Sequence, residues 1–315
     1  MAYKLSSDIT PQANVVEVAD FWEMECLRKA DFSASIMDIK KTMGIMDDEQ
    51  EDDDPEQEIQ LEIFYTDVVN EIERRANNCN GKYPFFLDKN GYVLELDGKA
   101  DVCFSWIYLY CLLATRNNMG GNRMVDNIDG TKLFEKLGKV VLVNNLGKNA
   151  DGMVFGTAAE GTFYERLNKL VTNLNEGMTA PQNVDLTYNP QDDKLDVVAW
   201  VAFADKQPSQ LICFAQCKTG DNWSNHTKQL RSDDFLTKWF YERPALTPVD
   251  SFMVVDAVDH NDFFHRAATN LFFDRCRLIN YASCPKGNDW FDNMRHWTIG
   301  IMKQFDLNMR PELMI

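Results

Sequence analysis

Between residues 15 and 46 apolar side chains recur among strong helix formers, with no Pro or Gly before Gly44, and the pattern predicts one or two helices. Residues 47–58 (DDEQEDDDPEQE) carry almost nothing but acid and amide groups, the composition of a solvated loop. Helical spacing resumes over 61–76, where Leu61, Val68 and Ile72 fall on one side. Residues 83–96 hold two apolar runs around Asn90-Gly91, a hairpin signal. Asp101 is placed to cap a helix running through Trp106 and Leu113, whose aromatic residues (Phe104, Trp106, Tyr108, Tyr110) are expected in the core rather than as a platform for stacked bases. Glycines at 120, 121, 130, 138, 147, 152 and 156 then punctuate a passage read as loop-rich. A domain boundary is placed there, with a mainly helical unit over 1–155 and a second over 156–315.

In the second unit, apolar positions 163, 167, 170, 171 and 174 predict a helix over 162–174. Strand-like segments follow over 194–203 and 210–219, then a helix over 222–243 and a strand over 250–258. The expected class is α/β with a mixed sheet.

The totals modify this picture in three ways. A length of 315 residues favours two domains, and the longest apolar stretch, 102–114, is too short to span a bilayer. With no apolar leader at the start, a cytoplasmic protein is expected. The eight cysteines never form a CxxC pair and mostly sit in apolar runs, so neither zinc nor disulfides is expected. The net charge of −17 is uneven: 16 Lys+Arg stand against 28 Asp+Glu in residues 1–155, and 16 against 21 in 156–315. Acidity on this scale repels phosphate backbones and argues against tight free-standing nucleic-acid binding.

One constellation carries chemistry. The segment LICFAQCK, residues 211–218, begins apolar on both faces, as a covered strand does, and ends polar. Period two puts Phe214, Gln216 and Lys218 on one face, and Asp196, Val198 and Trp200 on one face of the preceding strand. A turn centred near 206–207 sets Asp196 opposite Cys217 or Lys218. A carboxylate, an amide oxygen and an ammonium then meet at one sheet end. Carboxylate and amide oxygens are hard ligands suited to Mg²⁺, or Mn²⁺, and a lysine beside the metal can orient or deprotonate an attacking water. A second carboxylate is expected from the helix before the strands, from Glu165 or else Glu160.

Helix Glu, then Asp, then a strand ending Gln-x-Lys resembles the PD-(D/E)XK nuclease superfamily, and the Gln variant is similar to its Mrr-like restriction-endonuclease branch. The resemblance covers about residues 156–285. It implies a restriction-endonuclease-like αβββαβ core in which Asp196, Gln216 and Glu165 bind metal and Lys218 acts in catalysis. It also implies a DNA endonuclease of a prokaryotic restriction or anti-phage system, working with an ATPase or helicase subunit. The chain departs from the pattern twice: Leu195 rather than Pro precedes Asp196, and Gln216 stands where an acidic residue is usual.

Two other readings stand beside this one, a non-catalytic interaction protein that keeps the nuclease fold and a nuclease acting on RNA. Lys228 and Arg231 are candidates for phosphate contacts or members of a solvated helix face. His260 and His265 are given no role. No nucleophile elbow, P-loop or dinucleotide glycine fingerprint is present.

Overall fold

A computed structural model describes residues 13–43, 55–179, 192–220, 222–259, 263, 270–284 and 289–310. Most of the acidic run, together with His260 and His265, lies outside the described residues. In the first half the helices are α1 (Val15–Arg28), α2 (Ile36–Thr42), α3 (Pro55–Asn78), α4 (Val102–Arg116) and α5 (Gly130–Leu146). The expected hairpin forms from β2 (Phe85–Leu87) and β3 (Val93–Leu96), and a short β1 (Ser33–Ser35) joins it on the free side of β3. Its turn depends on Asp88, whose carboxylate accepts from the amides of Asn90, Tyr92 and Val93, while Gly91 takes a positive φ of 74°. A two-strand ribbon, β4 (Met124–Val125) and β5 (Ile128–Asp129), leads into α5.

The later elements are β6 (Ala150–Val154), α6 (Phe163–Leu174), β7 (Met178–Thr179), β8 (Val197–Val201), β9 (Leu211–Lys218), α7 (Ser232–Trp239), β10 (Phe240–Glu242), β11 (Val249–Val254), β12 (Leu271–Phe273), α8 (Arg275–Tyr281) and α9 (Asp289–Gln304). A mixed five-stranded sheet in the order β12-β11-β9-β8-β6 organises them. The β6/β8 and β8/β9 pairs are antiparallel; β9/β11 and β11/β12 are parallel. Parallel neighbours need a crossover, and α7 lies in the one joining β9 to β11.

Alternation along the central strands sends side chains to two apolar layers. Val197, Ala199, Cys213, Ala215 and Met253 enter a large core shared with α1, α3, α4, α5, α8 and α9. Val198, Trp200, Ile212 and Phe214 pack beneath α6 and α7. The sheet and the larger core both cross the 155/156 division read from the sequence, since β6 pairs with β8 and α5 packs on β6, β8 and β9. The glycines that had suggested a loop are where α5 makes its closest approaches. A β-carbon on Gly138 would stand 2.9 Å from the Cys217 sulfur, and one on Gly130 would stand 2.6 Å from the Trp297 ring.

Three further expectations are corrected. The helix expected over 222–243 is a 3₁₀ turn at Trp223–Asn225 followed by the shorter α7 and then β10, because Asn222, Ser224 and Asn225 favour turns over helix interiors. Cys103 and Cys284 form a disulfide, with Cα atoms 6.0 Å apart, although all cysteines were expected reduced. A separation of 181 residues carries no local signal; the packing of α4 brings the pair together. The remaining six are free, as expected, five of them buried and Cys217 half-buried. The β8/β9 register pairs Val197 with Ala215, which puts Asp196 across from Gln216 rather than from Cys217 or Lys218. The connection between the two strands is longer than a tight turn, with Lys206 and Ser209 at positive φ, and it moves the register.

A buried ion network joins the helical half to the sheet. Asp20 of α1 meets Arg75 of α3 and Arg275 of α8, each at 2.7 Å, and Arg116 at the end of α4 at 2.7 Å. Glu23 accepts from Arg75 and from the hydroxyls of Tyr83 and Tyr108 at 2.7–2.8 Å. Arg275 also donates from Nε to the Val255 carbonyl and from its backbone amide to the Asp256 carbonyl. That anchors the chain just beyond β11.

Candidate active site

The site lies at the edge of the sheet where β9 ends and β8 begins. Antiparallel pairing brings these two termini together, so Asp196, just before β8, sits beside Gln216 and Lys218 at the end of β9. The Asp196 backbone remains in the sheet: its amide donates to the Ala215 carbonyl, and its carbonyl accepts from Phe155 and Gly156. Its side chain turns back, and Oδ2 accepts the Cys217 amide at 2.8 Å.

Above Asp196 stands Glu135, on the first half of α5. A β-carbon built on Gly156 would lie 2.5 Å from Glu135 Oε2 and 2.8 Å from Asp196 Oδ1. The two carboxylates therefore converge over this glycine, and no other residue type fits between them without displacing one. Glu135 is held by the Thr157 hydroxyl at 2.7 Å and the Ala158 amide at 2.8 Å. Asp196 and Glu135 are each more than nine-tenths buried.

The electrostatics follow from that burial. Desolvation, then the Glu135 charge, holds the Asp196 carboxyl well above the usual carboxylate range, against the Cys217 amide and the Lys218 charge, which favour ionisation. Glu135 is raised as well, first by burial and then by the charge of Asp192, a half-buried carboxylate that precedes β8. The Cys217 thiol is pushed up by burial and by both Asp196 and Glu135. Two close carboxylates in low dielectric favour sharing a proton or a cation.

Gln216 is 1% exposed, and neither its Oε1 nor its Nε2 has a hydrogen-bond partner among the described residues. An unsatisfied buried polar atom costs about 1–3 kcal/mol, so a bare amide here is a deficit that a ligand would relieve. The carboxylate pair fits a hard divalent cation: Glu135 and Asp196 present two oxygens of the kind Mg²⁺ takes, and Gln216, across from Asp196 in the register, is the buried amide that would add a third. Elsewhere among the described residues, Asp101, Cys103 and Cys284 place three potential ligand atoms within 4.8 Å of one another, but there the sulfurs are already joined.

The register sets Asp196 across from Gln216 at the strand end that carries Lys218, whereas Glu165 stands apart from them. Glu165 is exposed at the start of α6, where it forms a capping box: its carboxylate accepts the Thr162 amide at 2.7 Å, and the Thr162 hydroxyl accepts the Glu165 amide. That local closure turns the carboxylate away from the sheet. Glu160 is exposed in the preceding loop. What α6 does send inward is the next residue, Arg166, which is buried, donates to the Gly156 carbonyl and lies in the field of Asp192 and Glu135. Lys228 is exposed, and Arg231, also exposed, pairs with Asp234 at 3.4 Å.

Glu135 was missed although a signal existed. Leu133, Phe134, Leu137 and Val141 are buried at helical spacing on α5, but the glycines on either side of them drew the passage toward a loop reading. Compared with known proteins, the chain matches no family model, no curated sequence and no solved structure.

Proposed function

We propose that the protein is a Mg²⁺-dependent DNA endonuclease of the PD-(D/E)XK type, with Glu135 in the role first assigned to Glu165. The observation that carries this reading is the convergence of Glu135 and Asp196 over Gly156 beside an unpartnered Gln216 and the end of a strand bearing Lys218. The order of elements supports it: α5, β6, β8, β9, α7 and β11 follow the αβββαβ sequence that the resemblance implies, with α6 and β7 inserted between β6 and β8 and β10 between α7 and β11. No helix among the described residues is long and apolar enough to cross a membrane.

A bound Mg²⁺ supplies charge stabilisation to a phosphoryl group undergoing displacement. The chain's own residues do the rest. Glu135 and Asp196 would hold the cation, with the Gln216 oxygen as a third donor. Lys218 would orient the attacking water, and its ammonium would offset the charge that develops on the phosphoryl oxygens. Burial at the strand end keeps bulk water from screening these charges. The acidic surface implies a weak grip on DNA by the isolated chain, so a DNA-translocating ATPase or helicase subunit is the partner that fits, in keeping with a role in restriction or phage defence.

The test is cleavage of duplex DNA, single-stranded DNA and RNA by the purified chain with Mg²⁺ or Mn²⁺, alongside Asp196→Ala and Lys218→Ala proteins matched by circular dichroism. Both variants should lose metal-dependent cleavage. Absence of cleavage by the parent on all three substrates, with an ATPase or helicase subunit supplied, would favour the non-catalytic reading; RNA as the preferred substrate would replace DNA. Parent-like cleavage by either variant would overturn the site.

A further inference from the structure

The Cys103–Cys284 disulfide has a third neighbour. Asp101, Cys103 and Cys284 present a carboxylate oxygen and two sulfurs that all lie within 4.8 Å of one another. The disulfide makes no use of the carboxylate, which caps α4: Oδ1 accepts the Cys103 amide at 2.9 Å and the Phe104 amide at 3.3 Å. That cap fixes Asp101 beside the cysteine two residues on. Asp101 is exposed and both cysteines are half-buried, so the group is open to solvent.

Bonds other than the disulfide hold all three positions. Asp101 and Cys103 belong to the start of α4, and the chain leading from α8 to Cys284 is clamped through its carbonyls. Lys82 Nζ donates to those of Ile279, Asn280 and Ala282 at 2.8–3.3 Å, and Asn144 Nδ2 donates to that of Tyr281 at 2.7 Å. The same ammonium lies 4.2 Å from the centre of the Phe104 ring, which ties the clamp to α4. Cutting the S–S bond therefore leaves the two sulfurs and the carboxylate facing one another. Two thiolates on one tetrahedral zinc stand about 3.8 Å apart. Side chains on Cα atoms 6.0 Å apart reach that spread by rotation, with the backbone in place.

The reduced group calls for a cation. Two thiolates beside a carboxylate repel one another, and one divalent ion that accepts both sulfur and oxygen relieves all three. Sulfur ligands favour zinc over the Mg²⁺ suited to Glu135 and Asp196. Zinc also accepts three protein ligands with water in the fourth place, which a half-exposed position supplies.

We propose that Asp101, Cys103 and Cys284 form a redox-gated zinc site. A dithiol reductant attacks one sulfur of the disulfide, and its second thiol then releases the other, so the protein gains two thiols and the reductant becomes a disulfide. Zn²⁺ displaces the two thiol protons and binds both thiolates and the Asp101 oxygen. Under conditions that remove the disulfide, zinc takes over the tie between α4 and the end of α8. The site is independent of the nuclease reading.

Co²⁺, a spectroscopic substitute for zinc, tests it. The full-length protein is freed of metal, reduced with dithiothreitol, desalted under argon and titrated with Co²⁺ in excess Mg²⁺, which occupies hard-oxygen sites. The reduced parent should show the near-ultraviolet band of thiolate-to-cobalt charge transfer, saturating at one equivalent and abolished by Zn²⁺, and the oxidised parent should show none. Cys284→Ser should lose the band. Asp101→Asn keeps the helix cap, since Asn caps as well as Asp, and should raise the Co²⁺ dissociation constant by at least about tenfold with the circular dichroism of the parent. No band in the reduced parent, a band that survives in Cys284→Ser, or an unchanged dissociation constant in Asp101→Asn would each overturn the site.

Discussion

Replacing Glu135 by Gln separates the electrostatic account of the site from a purely structural one. Glu135 and Asp196 are both raised because burial penalises their charged forms, reinforced by the charge of Asp192 at Glu135 and by that of Glu135 at Asp196. A group raised in the folded state contributes stability that is fully present below its unfolded pKa, near 4, and lost as pH rises through the folded value. The metal-free parent should therefore lose stability from about pH 4 toward neutrality, by about 1.4 kcal/mol for each unit of raising. Glu135→Gln removes one charge and the repulsion it exerts on Asp196. Its melting temperature at neutral pH without metal should exceed the parent's by on the order of 2–4 °C, and the gap should close on acidification. Metal reverses the order. At a concentration about ten times its Kd, Mg²⁺ adds about 1.4 kcal/mol to the parent by mass action, and the variant, short of one donor, should gain little. Cleavage should fall by at least about 10²-fold, the scale of losing one group that stabilises the transition state. Thermal melts across pH, with EDTA or Mg²⁺, read all three effects. A variant with the parent's pH profile and the parent's Mg²⁺ shift would refute the pairing of Glu135 with Asp196.

Three other perturbations give distinct outcomes. Gly156→Ala inserts a methyl group 2.5 Å from Glu135 Oε2 and 2.8 Å from Asp196 Oδ1, so it should abolish both the Mg²⁺ thermal shift and cleavage while the far-ultraviolet circular dichroism stays that of the parent. Glu165→Ala removes one arm of the α6 capping box and should lower the urea midpoint slightly with cleavage unchanged, whereas lost cleavage would return Glu165 to the site. Arg275→Met strips a fully buried partner from Asp20 and should cost about 3–5 kcal/mol; a melting temperature within about a degree of the parent's would show the network to be dispensable.

The two central strands were legible because they are short runs apolar on both faces, and a polar end on each is a local fact that survives folding. Their exact register was not, since a shift of one or two residues depends on a connection whose positive-φ residues, Lys206 and Ser209, are not glycines. Glu165 attracted attention for its place on a clear amphipathic helix, but Thr162 three residues earlier spelled a capping box, and that local use of the carboxylate won. Glu135 shows the converse. Its helix was broken on paper by Gly130 and Gly138, which in the fold are contact points against Trp297 and Cys217. Glycine count alone cannot distinguish a turn from a helix pressed against a sheet. The disulfide and the ion network were beyond reach for a different reason, as their partners are joined only by tertiary packing.

That network bears on how the acidic first half relates to the candidate site. Asp20, Glu23 and Glu71 are not part of a repelling surface: they are buried and paired with Arg75, Arg116, Arg275 and Arg74. Buried charges of this kind tolerate no partial rearrangement, because removing one partner leaves another desolvated and unpaired. Arg275 is the member that reaches the sheet, through Val255 and Asp256, at the same edge as Lys218. Desolvation raises the Asp256 carboxyl, against the Trp223 hydrogen bond and the charges of Arg116 and Arg275, which favour ionisation. A displacement of α1 must therefore either carry Arg275 with it, and with Arg275 the chain beyond β11, or strand Asp20 in the core. The helical half is thus mechanically continuous with the candidate catalytic edge. A partner docking on its surface has a physical route to that edge that requires no contact with the metal-binding residues themselves.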